Sequence, residues 1–301
     1  MLYRFRTSAK KAWFDFGTRR IAQTPPLRCD PASSLVILTQ TIHRDLGMFL
    51  VAAKSFARYL RPKFFVIVDD GLEGNDHAVL RRHLSEVRFV PSREVDVGAC
   101  PRGGMWERIH TIAKYSGDNY VIQLDADTLT LDRPTEVIEA VARNQTFTLG
   151  TTEGQRISSL EEAAAFARAH PNQNHMLIRA EAALGKYPGR ESLKYVRGCA
   201  GFAGFARGQL NRAALEAFST TMEGFVGNET WRQWGSEQVT SNFLIANAES
   251  PLVLPIDRYA TFEGANSVQQ AAFIHFLGTW RFRKGVYRRL SRRMIRQMLG
   301  G

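Results

Sequence analysis

Short apolar runs alternate with amphipathic stretches over the first half of the chain. Leu35–Thr39 and Phe64–Val68 are apolar runs of strand length, each closed by polar or turn-forming residues, and both read as strands buried on two faces. Tyr120–Leu124 reads the same way, with Val87–Val90 and Phe147–Gly150 as shorter strands. Between them the spacing turns helical. Asp45 to Leu60 has a cap at its start and Pro62 beyond its end; Asn75–Leu84, Trp106–Tyr115 and a stretch opened by Pro134 and running to Ala142 complete the set. Strands alternating with helices predict an α/β fold, a mostly parallel sheet flanked by helices. Ligands in such folds sit beyond the carboxyl ends of the strands. Three polar strand ends therefore stand out: Thr39-Gln-Thr41, Asp69-Asp-Gly71 and Asp125-Ala-Asp127. Residues 155–195, polar and helical, read as an insertion or lid.

Charge changes this picture only at the ends. Of a net charge of +11, the first 20 and last 22 residues together carry +13, leaving the other 259 residues at −2. Both ends have amphipathic spacing. Val286, Leu290, Met294 and Met298 recur every four residues amid arginines; Leu2, Phe5, Ala9, Trp13 and Phe16 step by three or four. Such basic amphipathic terminal helices suit either an anionic membrane surface or docking on their own domain. A body of slightly negative charge offers no groove for nucleic acid. The domain reading is thus a basic arm over 1–30, a single domain over 31–284 and a basic helix over 285–301. No run reaches the ~20 apolar residues of a membrane span, and the start has no secretory signal. Three cysteines without a CxxC pair fit a reducing compartment. A cytoplasmic protein, peripheral on the membrane where the ends bind it, is expected.

The strongest chemical signal is Asp125-Ala-Asp127, directly after an apolar strand. On an extended segment, side chains at i and i+2 point to one side. Two carboxylates brought together there repel unless a cation separates them, and hard oxygen ligands suit Mg²⁺ or Mn²⁺. A capped turn leading into the next helix is the plain alternative. His275 lies in an apolar run, followed by Gly278, Arg281, Arg283 and Lys284; it reads as a core histidine or as a ligand. Glu237, behind Ser236, is a favourable first-turn acid for a helix or a catalytic carboxylate. Trp231 and Trp234 suit stacking on a ligand, or packing.

Taken together, these segments resemble the GT-A glycosyltransferases, in particular the glycogenin-like and bacterial lipooligosaccharide galactosyltransferase family, over about residues 33–284. The resemblance implies one GT-A, Rossmann-like domain with Asp125, Asp127 and His275 as ligands of Mn²⁺ (favoured) or Mg²⁺. It implies an Arg seventeen residues before the first Asp that contacts the donor, here Arg108. His275 and Gly278 match the family's His-Phe-x-Gly-x-x-Lys segment; the Lys position is Arg281, with Lys284 close by. Glu237, Gln238 and Asn242 match Asp-Gln-Asp-x-x-Asn, but Val239 replaces its second Asp, which leaves retaining and inverting routes open. Asp125, Thr39 and Asp69 would serve the donor. The implied activity moves a sugar from a nucleotide-diphosphate donor, a UDP-sugar by preference, to a glycan or glycolipid. Two rivals are a haloacid-dehalogenase-like phosphohydrolase, which wants its Asp-x-Asp on the first strand, and a non-catalytic peripheral membrane or adaptor protein acting through its ends.

Overall fold

The computed structural model describes residues 2–264, 268 and 270–300, with the side chains of residues 2–7 and of Thr279 outside the description. In chain order the elements begin with α1 (Leu2–Thr18), β1 (Leu35–Thr41), α2 (Leu46–Ala57), β2 (Phe64–Asp69), α3 (Asp76–His83) and β3 (Val87–Pro91). There follow α4 (Trp106–Ser116), β4 (Tyr120–Leu124), β5 (Thr128–Thr130), α5 (Thr135–Ala142), β6 (Phe147–Gly150), β7 (Ile157–Ser159), α6 (Leu160–Ala169) and α7 (Met176–Ala183). Next come β8 (Lys194–Val196), β9 (Gly198–Phe205), α8 (Arg212–Val226), α9 (Asn228–Trp231) and α10 (Ser236–Ala246). The chain closes with β10 (Leu252–Leu254), β11 (Tyr259–Phe262), β12 (Phe273–Phe276) and α11 (Val286–Gly300). The class is α/β, with a mostly parallel seven-stranded sheet flanked by helices. Among the described residues no helix is long and apolar enough to cross a membrane.

The chain divides into two compact units. The first comprises Met1–Val90, Leu124–Ile138 and Asp257–Gly301. It holds β1, β2 and β3 side by side, β1 and β2 parallel with Thr41 opposite Asp69. Leu35, Val36, Ile37 and Leu38 are fully buried, as are Val66, Ile67 and Val68; covering both faces is what makes these runs continuously apolar. Each such side chain contributes about 1.5–3 kcal/mol of burial. A second, three-stranded sheet in the order β11-β12-β5 belongs to the same unit. In it β12 runs parallel to β11 and antiparallel to β5, with His275 opposite Thr128.

The two terminal helices lie in this unit and pack on each other and on α2. Of the residues the spacing singles out, Met294 is buried, but most of the inward positions are others. Phe14, Tyr287, Met294 and Ile295 are inside, whereas Trp13 is 50% and Phe16 64% exposed. The physical reason is the aromatic stack of Phe14 on Tyr287 and of Tyr287 on Phe276, at 4.4 and 4.3 Å, which fixes the rotation of both helices. Leu2 and Phe5 of the expected stripe have side chains outside the description.

The second unit comprises Pro91–Gln123 and Glu139–Ile256. Its strands run in the order β10-β6-β9-β4, with β6 parallel to β10 and antiparallel to β9. The glycines of β9 are packing devices. A Cβ on Gly204 would sit 2.2 Å from the Phe147 ring, and one on Gly198 would sit 2.3 Å from Thr148 Oγ1. Residues 155–195 hold more than helices: β7 and β8 pair antiparallel around α6 and α7. A capping box between Ser159 and Glu162 starts α6, worth about 1 kcal/mol. The two helices bury Leu160, Ala164, Met176 and Ile178.

Candidate metal and donor site

The first unit gathers Asp125, Asp127 and His275. Asp125-Ala-Asp127 is a turn between β4 and β5, not a continuation of the strand. The turn therefore, rather than an i/i+2 extended repeat, makes the carboxylates converge. It is pinned on three sides: Thr128 Oγ1 donates to the Asp125 carbonyl at 2.8 Å, the Phe276 N–H to the Asp127 carbonyl at 2.9 Å, and the Tyr287 hydroxyl to the Ala126 carbonyl at 3.2 Å. The antiparallel pairing of β12 with β5 sets His275 across from Thr128, beside the turn. One ligand atom from each of Asp125, Asp127 and His275 lies within 4.8 Å of the others. His275 Nε2 is 3.2 Å from Asp127 Oδ1.

That donor set fits a hard to borderline divalent cation. Two ligands at about 2.1 Å from an ion at right angles lie about 3 Å apart, close to the His275–Asp127 separation. Two carboxylates with an imidazole suit Mn²⁺ better than Mg²⁺. Asp127 and His275 are buried and Asp125 half-buried. Burial opposes charge on Asp127, yet His275 and the Arg281 guanidinium hold its carboxyl well below the ordinary carboxylate range. Arg281 ion-pairs with the other oxygen of Asp127, and Asp45 adds to the field on that guanidinium. Gly278 is exposed at a φ of 28°, with open space where a Cβ would lie. Lys284 is exposed and left-handed at a φ of 54°, a conformation that costs a non-glycine residue about 1–2 kcal/mol.

Two further candidates of this unit lie at strand ends. Thr39 is fully buried and Thr41 nearly so, and neither hydroxyl has a hydrogen-bond partner among the described residues. Asp69 has local work. It accepts from the Gly71 and Leu72 N–H groups at 3.1 and 2.8 Å and contacts His77 Nε2 at 2.8 Å. Burial raises its pKa, but these bonds prevail and lower it. Tyr287 was invisible to motif reading, since it supports the Asp-x-Asp turn from a helix 161 positions away.

The second unit holds Arg108, Glu237 and Gln238. The α4 and α10 helices bring Arg108 Nη2 within 3.1 Å of Glu237 Oε2, both side chains almost wholly buried. Alongside, Trp106 Nε1 donates to Ser236 Oγ at 2.9 Å. Ser236 opens α10 without a side-chain cap, so Glu237 is fixed by an ion pair rather than by helix-start chemistry alone. Gln238 and Asn242 both donate to the Gly198 carbonyl, at 3.3 and 3.1 Å. Val239 is fully buried. Three successive left-handed residues, Gly103, Gly104 and Met105, precede α4. Trp231 is buried and bonded to Ser219, whereas Trp234 is 64% exposed.

Comparison with solved structures places this architecture. The chain superposes on the bifunctional glycosyltransferase WbbM, in an apo structure, with a TM-score of 0.51 at 12% identity, covering 84% of this chain and 47% of that one. The chain has the GT-A fold. It spans about half of WbbM, at 47% of its length. The galactosyltransferase LgtC, in complex with donor and acceptor sugar analogues, aligns at a TM-score of 0.48 and 14% identity over 81% of this chain and 87% of that one. Mouse xyloside xylosyltransferase 1 aligns at 0.37 and 14% identity over 81% and 97%. The GT-A assignment rests on the first of these together with the sheet. No family model and no curated protein matches the sequence.

Proposed function

We propose that the protein is a metal-dependent glycosyltransferase that moves a sugar from a nucleotide-diphosphate donor, a UDP-sugar by preference, to a glycan or glycolipid acceptor. The observation that carries this reading is the meeting of Asp125, Asp127 and His275 at the carboxyl end of β4 in a GT-A fold. Asp125, Asp127 and His275 would hold Mn²⁺, or Mg²⁺, which when bound supplies the positive charge that makes a diphosphate a competent leaving group. Arg281 and Lys284 add fixed positive charge for the phosphates. Gly278 leaves backbone room for them. Thr39, with its unpartnered buried hydroxyl, and Asp69 serve the nucleoside. In the second unit Arg108 serves the donor, and Glu237 with Gln238 act at the reacting sugar, the Arg108 guanidinium holding the Glu237 carboxylate in place. Val239 removes the second acid of the related motif, so Glu237 is the carboxylate left to act there. The enzyme works as a peripheral protein at an anionic, cytoplasmic membrane face.

The phosphohydrolase alternative finds no support, because the Asp-x-Asp turn follows β4 rather than the first strand. An adaptor acting only through its ends gives the Asp–His cluster no task. The test is a thermal-shift and calorimetric screen of nucleotide sugars with and without Mn²⁺. A ligand at 100 times its Kd adds about 2.7 kcal/mol. Asp127→Asn and His275→Ala should each raise the Mn²⁺ concentration needed for transfer, and the double variant should be little worse than either. A chain that binds no nucleotide sugar with Mn²⁺ present would sink the reading.

A further inference from the structure

The helix α1, the short 3-10 turn Arg19–Gln23 that follows it and α11 line a half-open cavity of about 170 Å³, with Phe16, Arg19, Arg20, Arg288, Arg292 and Arg296 on its walls. Among the described residues no carboxylate lies within ion-pairing distance of any of these five arginines, and none lines the cavity. Five guanidinium groups around one small space repel one another and suit a multivalent oxyanion, since each offers a planar fork of donors. Two features show that the cavity is built. Gly17 makes room for Arg288: a Cβ there would sit 2.2 Å from its Nε. That Nε is buried and has no hydrogen-bond partner among the described residues. The walls are also amphipathic. Arg19 lies over the Phe16 ring at 4.1 Å and Arg288 over the Trp13 ring at 3.8 Å, while both rings remain exposed.

We propose that this cavity binds the phosphate of an anionic lipid headgroup, with Phe16 and Trp13 entering the membrane interface beside it. The inference rests on the peripheral-membrane reading and sharpens it from diffuse charge to a seat for a phosphomonoester dianion. Lipid is favoured over a free phosphate because exposed aromatic rings flank the arginines, the pairing that suits a surface wet on one side and apolar on the other.

The test compares two double variants of the full-length protein that remove the same charge from the same helix. Arg292→Gln/Arg296→Gln alters the cavity; Arg289→Gln/Arg293→Gln alters exposed arginines that do not line it. Binding is measured to vesicles of phosphatidylcholine alone, with phosphatidic acid, and with phosphatidylserine at matched charge. Wild type should bind the phosphatidic acid vesicles most tightly. The cavity variant should lose about thirtyfold, from about 1 kcal/mol per arginine at the surface, and the control no more than about threefold. Equal losses in both would overturn the cavity while leaving a diffuse membrane charge. No binding of wild type to either anionic vesicle would overturn the membrane reading itself. Calorimetric binding of inorganic phosphate that the cavity variant abolishes, without preference for phosphatidic acid, would assign the site to a soluble anion and overturn the lipid. Circular dichroism and transfer to a soluble acceptor should be unchanged in both variants.

Discussion

Arg281 ion-pairs with one oxygen of Asp127, the carboxylate whose other oxygen lies beside His275 in the proposed metal site. Without nucleotide, the guanidinium and a divalent cation therefore compete for one carboxylate, so removing the arginine should strengthen metal binding rather than weaken it. Arg281→Met keeps the apolar stem and deletes the fork. A hydrogen bond to a charged group is worth about 1.5–3 kcal/mol, and its removal translates to roughly 10- to 150-fold tighter Mn²⁺ binding by the nucleotide-free protein. The loss of Arg281 also ends its share in depressing the Asp127 pKa, but His275 remains beside the carboxyl, which stays ionised at pH 7 and available to the ion. Nucleotide-diphosphate affinity at saturating Mn²⁺ should move the other way, falling about tenfold or more as one phosphate-facing charge is lost. Isothermal titration of Mn²⁺ into the two proteins, then of UDP into the Mn²⁺ forms, measures both. Unchanged or weaker metal binding in Arg281→Met would show that Arg281 and the metal do not share Asp127, and the competition argument would be wrong.

Further outcomes follow from single side chains. His110 is buried with neither ring nitrogen hydrogen-bonded among the described residues. Burial, then the nearby Arg212 charge, lowers its pKa to about 4. The unfolded chain then binds more protons between its ordinary value near 6.5 and 4, so His110 lowers stability as pH drops through that window; His110→Leu should gain about 1–3 kcal/mol at pH 4.5 and flatten the decline in urea midpoint on acidification, and an unchanged pH slope would refute this. Met105, left-handed at a φ of 78°, should cost about 1 kcal/mol that Met105→Gly recovers, read as a higher urea midpoint; a lower one would show that the Met side chain contributes more than the strain removes. Glu237→Gln breaks a buried pair with Arg108, so it should destabilise by up to about 3–5 kcal/mol as well as stop transfer. Arg108→Met/Glu237→Leu, which leaves no lone charge, should recover most of that stability but no activity; recovered activity would remove Glu237 from the chemistry. Trp234→Ala should raise KM for the acceptor severalfold and leave UDP-sugar affinity unchanged, a split that a purely structural tryptophan would not give.

What the sequence determined on its own was the set of elements buried on both faces and the chemistry at their ends. β1, β2 and β4 declared themselves because a strand covered on two sides must be apolar at every position, a local property that needs no partner to be read. The Asp-x-Asp turn was visible for a related reason, as two carboxylates directly after such a run have few structural uses. Short β5, β10, β11 and β12 were not visible, since three or four residues carry no period, and β7 and β8 find each other only across two intervening helices. Tertiary structure alone decided how His275 reaches Asp127, through a β12–β5 pairing that joins segments more than 140 positions apart. It also chose Phe14 and Tyr287 over Trp13 and Phe16 as the inward face of the terminal helices, and gave the β9 glycines to the Phe147 ring and Thr148. Local spacing reports that a face is buried; which face, and against what, is set by the volume and hydrogen-bonding groups of residues far along the chain.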